Sequence, residues 1–148
     1  MPVFRHDVAG DKSGVNLRRA PKAASTVIEE NTFLTHDAAG RLVPCDDTST
    51  YIVGISAERV TAADDNYTST DEIVYDEPRE GDLFIVDVDD AGTAGFVAGV
   101  ERALNDVAGE VKAGALDGVD DVATVRVVKV LTATDQAIVT VKTASNRS

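Results

Sequence analysis

The chain has 148 residues and a formal net charge of −12, with 26 acidic against 14 basic residues. This length is typical of one domain, and its core must be aliphatic because Trp is absent and aromatic residues make up only 5% of the chain. The acidic excess argues against nucleic acids and anionic membranes as partners, since phosphate groups are bound by clustered Lys and Arg.

The N-terminal segment differs in charge from the rest of the chain. Residues 1–26 contain five basic and two acidic residues, a net charge of +3, whereas the remaining 122 residues contain nine basic and 24 acidic residues, a net charge of −15. The segment also contains Gly10, Gly14, Pro2 and Pro21 and has no period of 2 or 3.6. This predicts an extended arm over residues 1–25, which is either a disordered tail or a segment that orders on a partner's acidic surface or along an exposed sheet edge.

From residue 26 onward the sequence predicts a single β-rich domain, 26–148, in which short β-favouring runs are separated by Gly, Asp, Asn and Pro. Strands are expected at Thr26–Ile28, Thr32–Thr35, Arg41–Val43, Tyr51–Ala57, Glu72–Tyr75 and Leu83–Val88. Asp37–Gly40 predicts a turn. Gly54, inside a strand, indicates a bulge or the close approach of another backbone.

The C-terminal half predicts one helix and one hairpin. Apolar residues between Phe96 and Val107 recur at helical spacing, which indicates a short amphipathic helix over residues 96–108. Ala123–Thr132 and Gln136–Thr143 are rich in β-branched residues and predict an antiparallel hairpin. The expected fold is therefore mainly β, a small antiparallel β-barrel or β-tulip-like domain with one short helix and an extended N-terminal arm.

Acidic residues cluster at three places, Asp64–Asp65, Asp87–Asp90 and Asp117–Asp121. The second cluster fails the calcium-loop pattern, because its twelfth position is Ala98 where a bidentate Glu is required. We interpret the clusters as solvated turns, with weak binding of divalent ions as the alternative.

Other residues that could carry chemistry lack the neighbours they need. His6 and His36 have no second ligand at a zinc spacing, and Cys45 lies beside Asp46 and Asp47, which disfavour a reactive thiolate. No nucleophile elbow, phosphate-binding loop or dinucleotide fingerprint occurs. The sequence therefore predicts a protein that is not an enzyme, with no catalytic residue, no cofactor, no metal site and a buried or unreactive thiol.

One stretch of the chain, Glu30–Cys45 followed by Ile52–Ala57, resembles the small capsid-cement and head-decoration proteins of tailed phages. In that group a strand, a D-x-x-G turn, a polar strand and a V-G-I/V-A/S segment recur. The resemblance implies a β-barrel or β-tulip domain that forms homotrimers at threefold positions of the expanded capsid. It also implies an N-terminal arm that attaches to the capsid, and it carries over no catalytic residue.

The resulting hypothesis is a capsid decoration protein that binds the outer surface of the expanded head as a homotrimer and bridges its subunits. Its partners are the major capsid protein and itself, with no nucleic acid and no membrane, and its location is the virion after synthesis in the host cytoplasm. We expect apolar contacts between protomers among Tyr51–Ala57 and Leu83–Val88. The predicted docking residues are the apolar anchors and the positive charges of the arm: Val3, Phe4, Arg5, Val15, Arg18, Arg19 and Lys22.

Two other interpretations stay open on the sequence alone. A tail, baseplate or head-completion protein would be a structural protein that forms rings of another symmetry. A cytoplasmic β-barrel module that binds a small ligand or an ion belongs to a different class, and its ligand would raise the melting temperature.

Overall fold

The computed structural model describes residues 4–6, 17–78, 82–88, 97–107, 110–114 and 123–141, and every structural statement refers to these. They form eleven strands: β1 Phe4–His6, β2 Leu17–Pro21, β3 Phe33–His36, β4 Leu42–Pro44, β5 Gly54–Ser56, β6 Glu72–Asp76, β7 Leu83–Asp87, β8 Glu101–Val107, β9 Glu110–Gly114, β10 Val125–Leu131 and β11 Gln136–Val141. The one helical element in these ranges is a 3₁₀ turn at Thr132–Thr134, and none of their helices has the length and apolar character needed to cross a membrane. The prediction of a mainly β fold is confirmed.

The strands form two antiparallel sheets, one of which curls into a half-barrel. The six-stranded sheet has the order β1-β7-β11-β10-β8-β9, and the five-stranded sheet has the order β2-β6-β5-β3-β4. A bridge between Val88 and Ala113 joins the end of β7 to β9. A second bridge, between Lys22 and Leu42, joins the end of β2 to β4, which are the outer strands of the five-stranded sheet.

The predicted helix over residues 96–108 is wrong. Glu101–Val107 is strand β8, which pairs with β9 and with β10. It is preceded by a turn in which Val100 N donates to Val97 O and Gly99 has a φ of +93°. A glycine costs about 1 kcal/mol in a helix interior, so Gly99 disfavours a helix here. Pairing of β8 with two neighbouring strands stabilises the extended conformation instead, despite the helical spacing of a few apolar residues.

The core has two parts, on opposite faces of the five-stranded sheet. On one face Phe33 packs edge-to-face on Phe84 of the six-stranded sheet, with ring centroids 5.8 Å apart and planes at 82°. The next residue, Leu34, belongs to the second cluster together with Ile28 and Val60. Because successive side chains of a strand point to opposite faces, β3 is buried on both sides.

Local features of both predicted hairpins are confirmed. Asp37–Gly40 forms the turn between β3 and β4, with Gly40 at a φ of +80°. The C-terminal hairpin pairs β10 with β11, with a bulge between Val127 and Lys129. The expected close approach at Gly54 is also present, because a Cβ built there would lie 2.8 Å from the Asp76 carbonyl oxygen.

Candidate docking surface

The basic strand β2 forms an outer strand of the five-stranded sheet. It pairs antiparallel with β6, with Arg18 opposite Tyr75 and Arg19 opposite Val74. Along its other edge, among the described residues, only the end of β2 is joined to a strand, through the bridge from Lys22 to Leu42. Arg18 and Arg19 are exposed, and Leu17 beside them is 55% exposed. We define Leu17, Arg18 and Arg19 as the β2 surface. Leu17 and Arg19 lie on one face of the strand and Arg18 on the other, so the two positive charges flank the outer edge of β2 on an otherwise acidic protein.

The two arginines of the β2 surface form ion pairs across the sheet. Arg18 Nε lies 3.6 Å from Glu77 Oε1, and Arg19 Nε lies 3.8 Å from Glu72 Oε1. Both pairs are diagonal across the β2–β6 register, a spacing that long side chains span. Since exposed ion pairs contribute only about 0–1 kcal/mol, the guanidinium groups can exchange these carboxylates for those of a partner at little cost.

Lys22 was predicted as a docking charge, and this prediction is wrong. Its side chain is fully buried, and its ammonium donates to the carbonyls of Ser69 and of Tyr67, the latter at 3.3 Å. Burial lowers the pKa of Lys22 from its ordinary value, and the neighbouring Asp71 carboxylate opposes that shift. A charge enclosed in this way fastens the end of β2 to the loop that precedes β6 and is not available to a partner.

The other predicted docking residues lie further toward the N-terminus. Phe4 and Arg5 are part of β1, whose backbone pairs antiparallel with β7. Val3 and Val15 lie outside the described residues. Within the arm predicted over residues 1–25, β1 and β2 are extended but each pairs with a strand of the chain's own sheets, and residues 24–25 form a turn.

The strands expected to hold the trimer together are used inside the protomer. Gly54, Ile55 and Ser56 are all buried in β5, and Phe84 and Val86 belong to the main core cluster. The large apolar residues exposed in the described ranges are instead Leu17, Val97 at 58% and Val128 at 42%. Their exposure was not predicted.

Val97 and Val128 lie on two segments that are hydrogen-bonded to each other. Gly99 N donates to Val127 O at 2.8 Å, and Val127 N donates to Val100 O at 2.8 Å, so the 97–100 turn runs beside β10. Val128 is the extra residue of the β10 bulge. It is exposed in alternation with the buried Val125 and Val127, and the alternation breaks only at the next residue, Lys129, which is exposed as well.

The predicted acidic turns are partly described. The Asp64 carboxylate accepts hydrogen bonds from the Thr61 amide at 2.7 Å and from its hydroxyl at 3.3 Å, as a turn requires. Asp87 accepts a hydrogen bond from Gln136 Nε2 at 3.1 Å, whereas Asp89–Asp90 and Asp117–Asp121 lie outside the described residues. In the described ranges no three or more His, Cys, Asp or Glu side chains are placed to hold a metal ion.

Two residues at the β3–β4 hairpin, Cys45 and His36, are held by contacts within the fold. Cys45 is fully buried in the main core cluster, which confirms the expected buried thiol. His36 Nδ1 lies 2.8 Å from the Tyr51 hydroxyl, and the two rings meet edge-to-face at 5.9 Å. Neither group contributes to the β2 surface.

Comparison of the chain with protein-family models, with curated proteins and with solved structures gives no match.

Proposed function

We propose that this protein is a non-enzymatic viral capsid decoration protein, which binds the outer surface of the expanded head as a homotrimer and bridges neighbouring capsid subunits. The observation that carries the proposal is the β2 surface, an exposed basic outer strand on a protein of net charge −12. The resemblance of residues 30–57 to head-decoration proteins supports the same conclusion.

The β2 surface suits docking onto a larger assembly in two ways. An outer strand with an unpaired edge can accept an extended segment of a partner, in which backbone hydrogen bonds supply affinity and side chains supply selectivity. Arg18 and Arg19 would at the same time exchange their weak internal ion pairs for carboxylates of the capsid subunit. The partner surface is therefore acidic and offers a strand or an extended loop.

Trimer formation would multiply the effect of a weak contact. Once one β2 surface of a trimer is bound, the other two are held at high effective concentration, and avidity can exceed single-site affinity by about 10²–10⁴. A capsid subunit could then separate from its neighbour only after these contacts are lost, which is how the protein would stabilise a pressurised head. We place the apolar contact between protomers at Val97 and Val128, because both are exposed and lie on segments that are hydrogen-bonded to each other.

The proposal is tested with purified expanded heads of the virus that encodes the chain. We expect the double variant Arg18→Glu/Arg19→Glu to lose most of its occupancy in co-sedimentation at physiological salt. The matched control is Arg41→Glu/Arg59→Glu, which makes the same change in net charge at exposed residues outside the β2 surface and outside the segments that carry Val97 and Val128. It is expected to bind like the wild type.

Two outcomes would contradict the proposal. Equal occupancy of the Arg18→Glu/Arg19→Glu variant and the wild type would remove the β2 surface from docking. A strict monomer in light scattering at high concentration would remove the trimer, while a ring of another symmetry would favour a tail, baseplate or head-completion protein. In the expected case light scattering gives three times the chain mass of 15.6 kDa, and Val128→Lys lowers it to one chain.

A further inference from the structure

A cleft at the β3–β4 hairpin lies outside the β2 surface and has no part in the proposed function. It encloses about 320 Å³, at the lower end of the roughly 300–1,000 Å³ typical of ligand sites. The polar residues that line it include Thr35, His36, Asp37, Asp46 and Tyr51. A space of this size admits one planar polar group and its stem, and not a large cofactor.

The two carboxylates of the cleft are held in place by the turns that they cap. Asp37 Oδ1 accepts hydrogen bonds from the amides of Ala39 and Arg41, each at 2.9 Å. Asp46 Oδ1 accepts from the Thr48 amide at 3.0 Å and from the Thr48 hydroxyl at 2.8 Å. In each case the bonding uses Oδ1, and within the described part of the chain Oδ2 has no protein donor. The cleft thus presents two fixed negative charges with one oxygen each left for a ligand.

A hydroxyl without a protein partner opens into the same cleft. Thr35 is 6% exposed and lines the cleft, and in the described residues its hydroxyl makes no hydrogen bond. Because the hydroxyl oxygen itself is not buried, it is available to a molecule that occupies the cleft. The aromatic wall is fixed as well, because His36 Nδ1 and the Tyr51 hydroxyl are hydrogen-bonded at 2.8 Å.

We propose that this cleft binds a guanidinium cation. A guanidinium is planar, offers several N–H donors to carboxylate oxygens and a hydroxyl, and stacks on aromatic faces, which an ammonium does less well. The cleft supplies each complement in Asp37, Asp46, Thr35 and the pair of rings. The cation is either a free small molecule or an arginine side chain of a second copy of this chain.

The test is an NMR titration of the full-length protein with N-acetyl-arginine amide, whose only charge is its guanidinium. We expect saturable shifts at Thr35, His36 and Tyr51 and at least tenfold weaker binding of the isosteric, neutral N-acetyl-citrulline amide. Asp37→Asn/Asp46→Asn retains an oxygen for each turn but removes both charges, and it is expected to weaken binding at least tenfold. The matched control Asp64→Asn, at a similar capped turn elsewhere, is expected to bind like the wild type.

Dilution of the ligand-free protein distinguishes the two sources of the cation. If the guanidinium comes from a second copy, the same signals shift with protein concentration, and Arg18→Gln/Arg19→Gln alters that dependence. If it comes from a small molecule, only the added ligand shifts them. Absence of shifts with N-acetyl-arginine amide together with no dependence on concentration overturns the proposal, as does equal binding of the citrulline compound.

Discussion

Strands β3 and β2 belong to the same five-stranded sheet, yet they differ in what holds them. β3 lies inside the sheet with Phe33 and Leu34 fully buried on opposite faces, whereas β2 is an outer strand whose Arg18 and Arg19 make only exposed ion pairs. Burial of a large apolar side chain contributes about 1.5–3 kcal/mol, and an exposed ion pair about 0–1 kcal/mol. Strand β3 therefore contributes stability to the fold, whereas β2 is available for binding.

The largest effect is expected at the contact between the two sheets. Phe33→Ala removes a ring that packs edge-to-face on Phe84 and leaves a cavity, so we expect a loss of about 3–5 kcal/mol in the free energy of unfolding. The control is Leu17→Ala on β2, where the side chain is 55% exposed and the expected change is within about 0.5 kcal/mol. Urea denaturation measures both, and similar losses for the two variants would contradict the comparison.

The close approach at Gly54 is expected to give the next largest effect. A Cβ there would lie 2.3 Å from Tyr75 Cδ2 and 2.8 Å from the Asp76 carbonyl oxygen, and the backbone atom cannot rotate away. Gly54→Ala should therefore cost about 3 kcal/mol, the upper end of overpacking effects. Gly99→Ala, which meets no atom within 4 Å, should cost only about 1 kcal/mol of backbone strain from its positive φ. An equal loss in thermal unfolding at the two positions would show that Gly54 is not crowded.

Lys22 directly follows β2 and is fully buried, and its replacement is expected to have an intermediate effect. Lys22→Met keeps the apolar stem but removes the donor to the Ser69 and Tyr67 carbonyls, so we expect a loss of about 2 kcal/mol at neutral pH. The folded-state pKa lies below 10.5, and above it the folded protein holds fewer protons at this site than the unfolded chain. Stability from Lys22 therefore rises with pH up to 10.5.

Denaturation at a series of pH values measures this dependence as the difference between the wild type and Lys22→Met. Burial, with the Glu77 carboxylate as a further cause, raises the pKa of Tyr75 from 10.0, which lowers stability as the pH rises above 10.0. That contribution is common to both proteins and cancels in the difference. A difference that stays constant or shrinks toward pH 10.5 would contradict the enclosed ammonium.

The smallest effect on stability is expected at the β2 surface itself. Arg18→Gln/Arg19→Gln removes both exposed ion pairs, and the free energy of unfolding should fall by less than about 1 kcal/mol. Chemical denaturation at low and at high salt checks this, with Arg59→Gln as a control because it removes a comparable exposed pair with Glu29. A much larger loss for the double variant would mean that β2 contributes to the fold more than to binding.

Features set by neighbouring residues could be predicted from the sequence. The turn at Asp37–Gly40 follows from a capping carboxylate and a glycine at positive φ. The C-terminal hairpin follows from its β-branched runs, and the crowding at Gly54 follows from a glycine within a strand. In each case the feature is caused by residues a few positions apart in the sequence or by a glycine, which has no side chain.

Features set by distant residues could not be predicted. The carbonyls that accept hydrogen bonds from Lys22 lie 45 and 47 residues further along the chain. The basic segment around Lys22 indicates a docking charge, whereas these distant contacts enclose its ammonium group. β8 carries a helical spacing of apolar residues, but it pairs over Ala103–Val107 with the following strand β9 and at Glu101 and Arg102 with the more distant β10, and this pairing on two edges decides its conformation. The cleft at His36 and Tyr51 likewise joins two segments separated by 15 residues and a hairpin.

The most direct test of docking through β2 is an image reconstruction of expanded heads that carry the bound protein. We expect β2 to face the capsid, with Arg18 and Arg19 against acidic residues of the capsid subunit and one protomer at each of three related positions. A bound protein whose β2 surface points to solvent while another face contacts the capsid would contradict it.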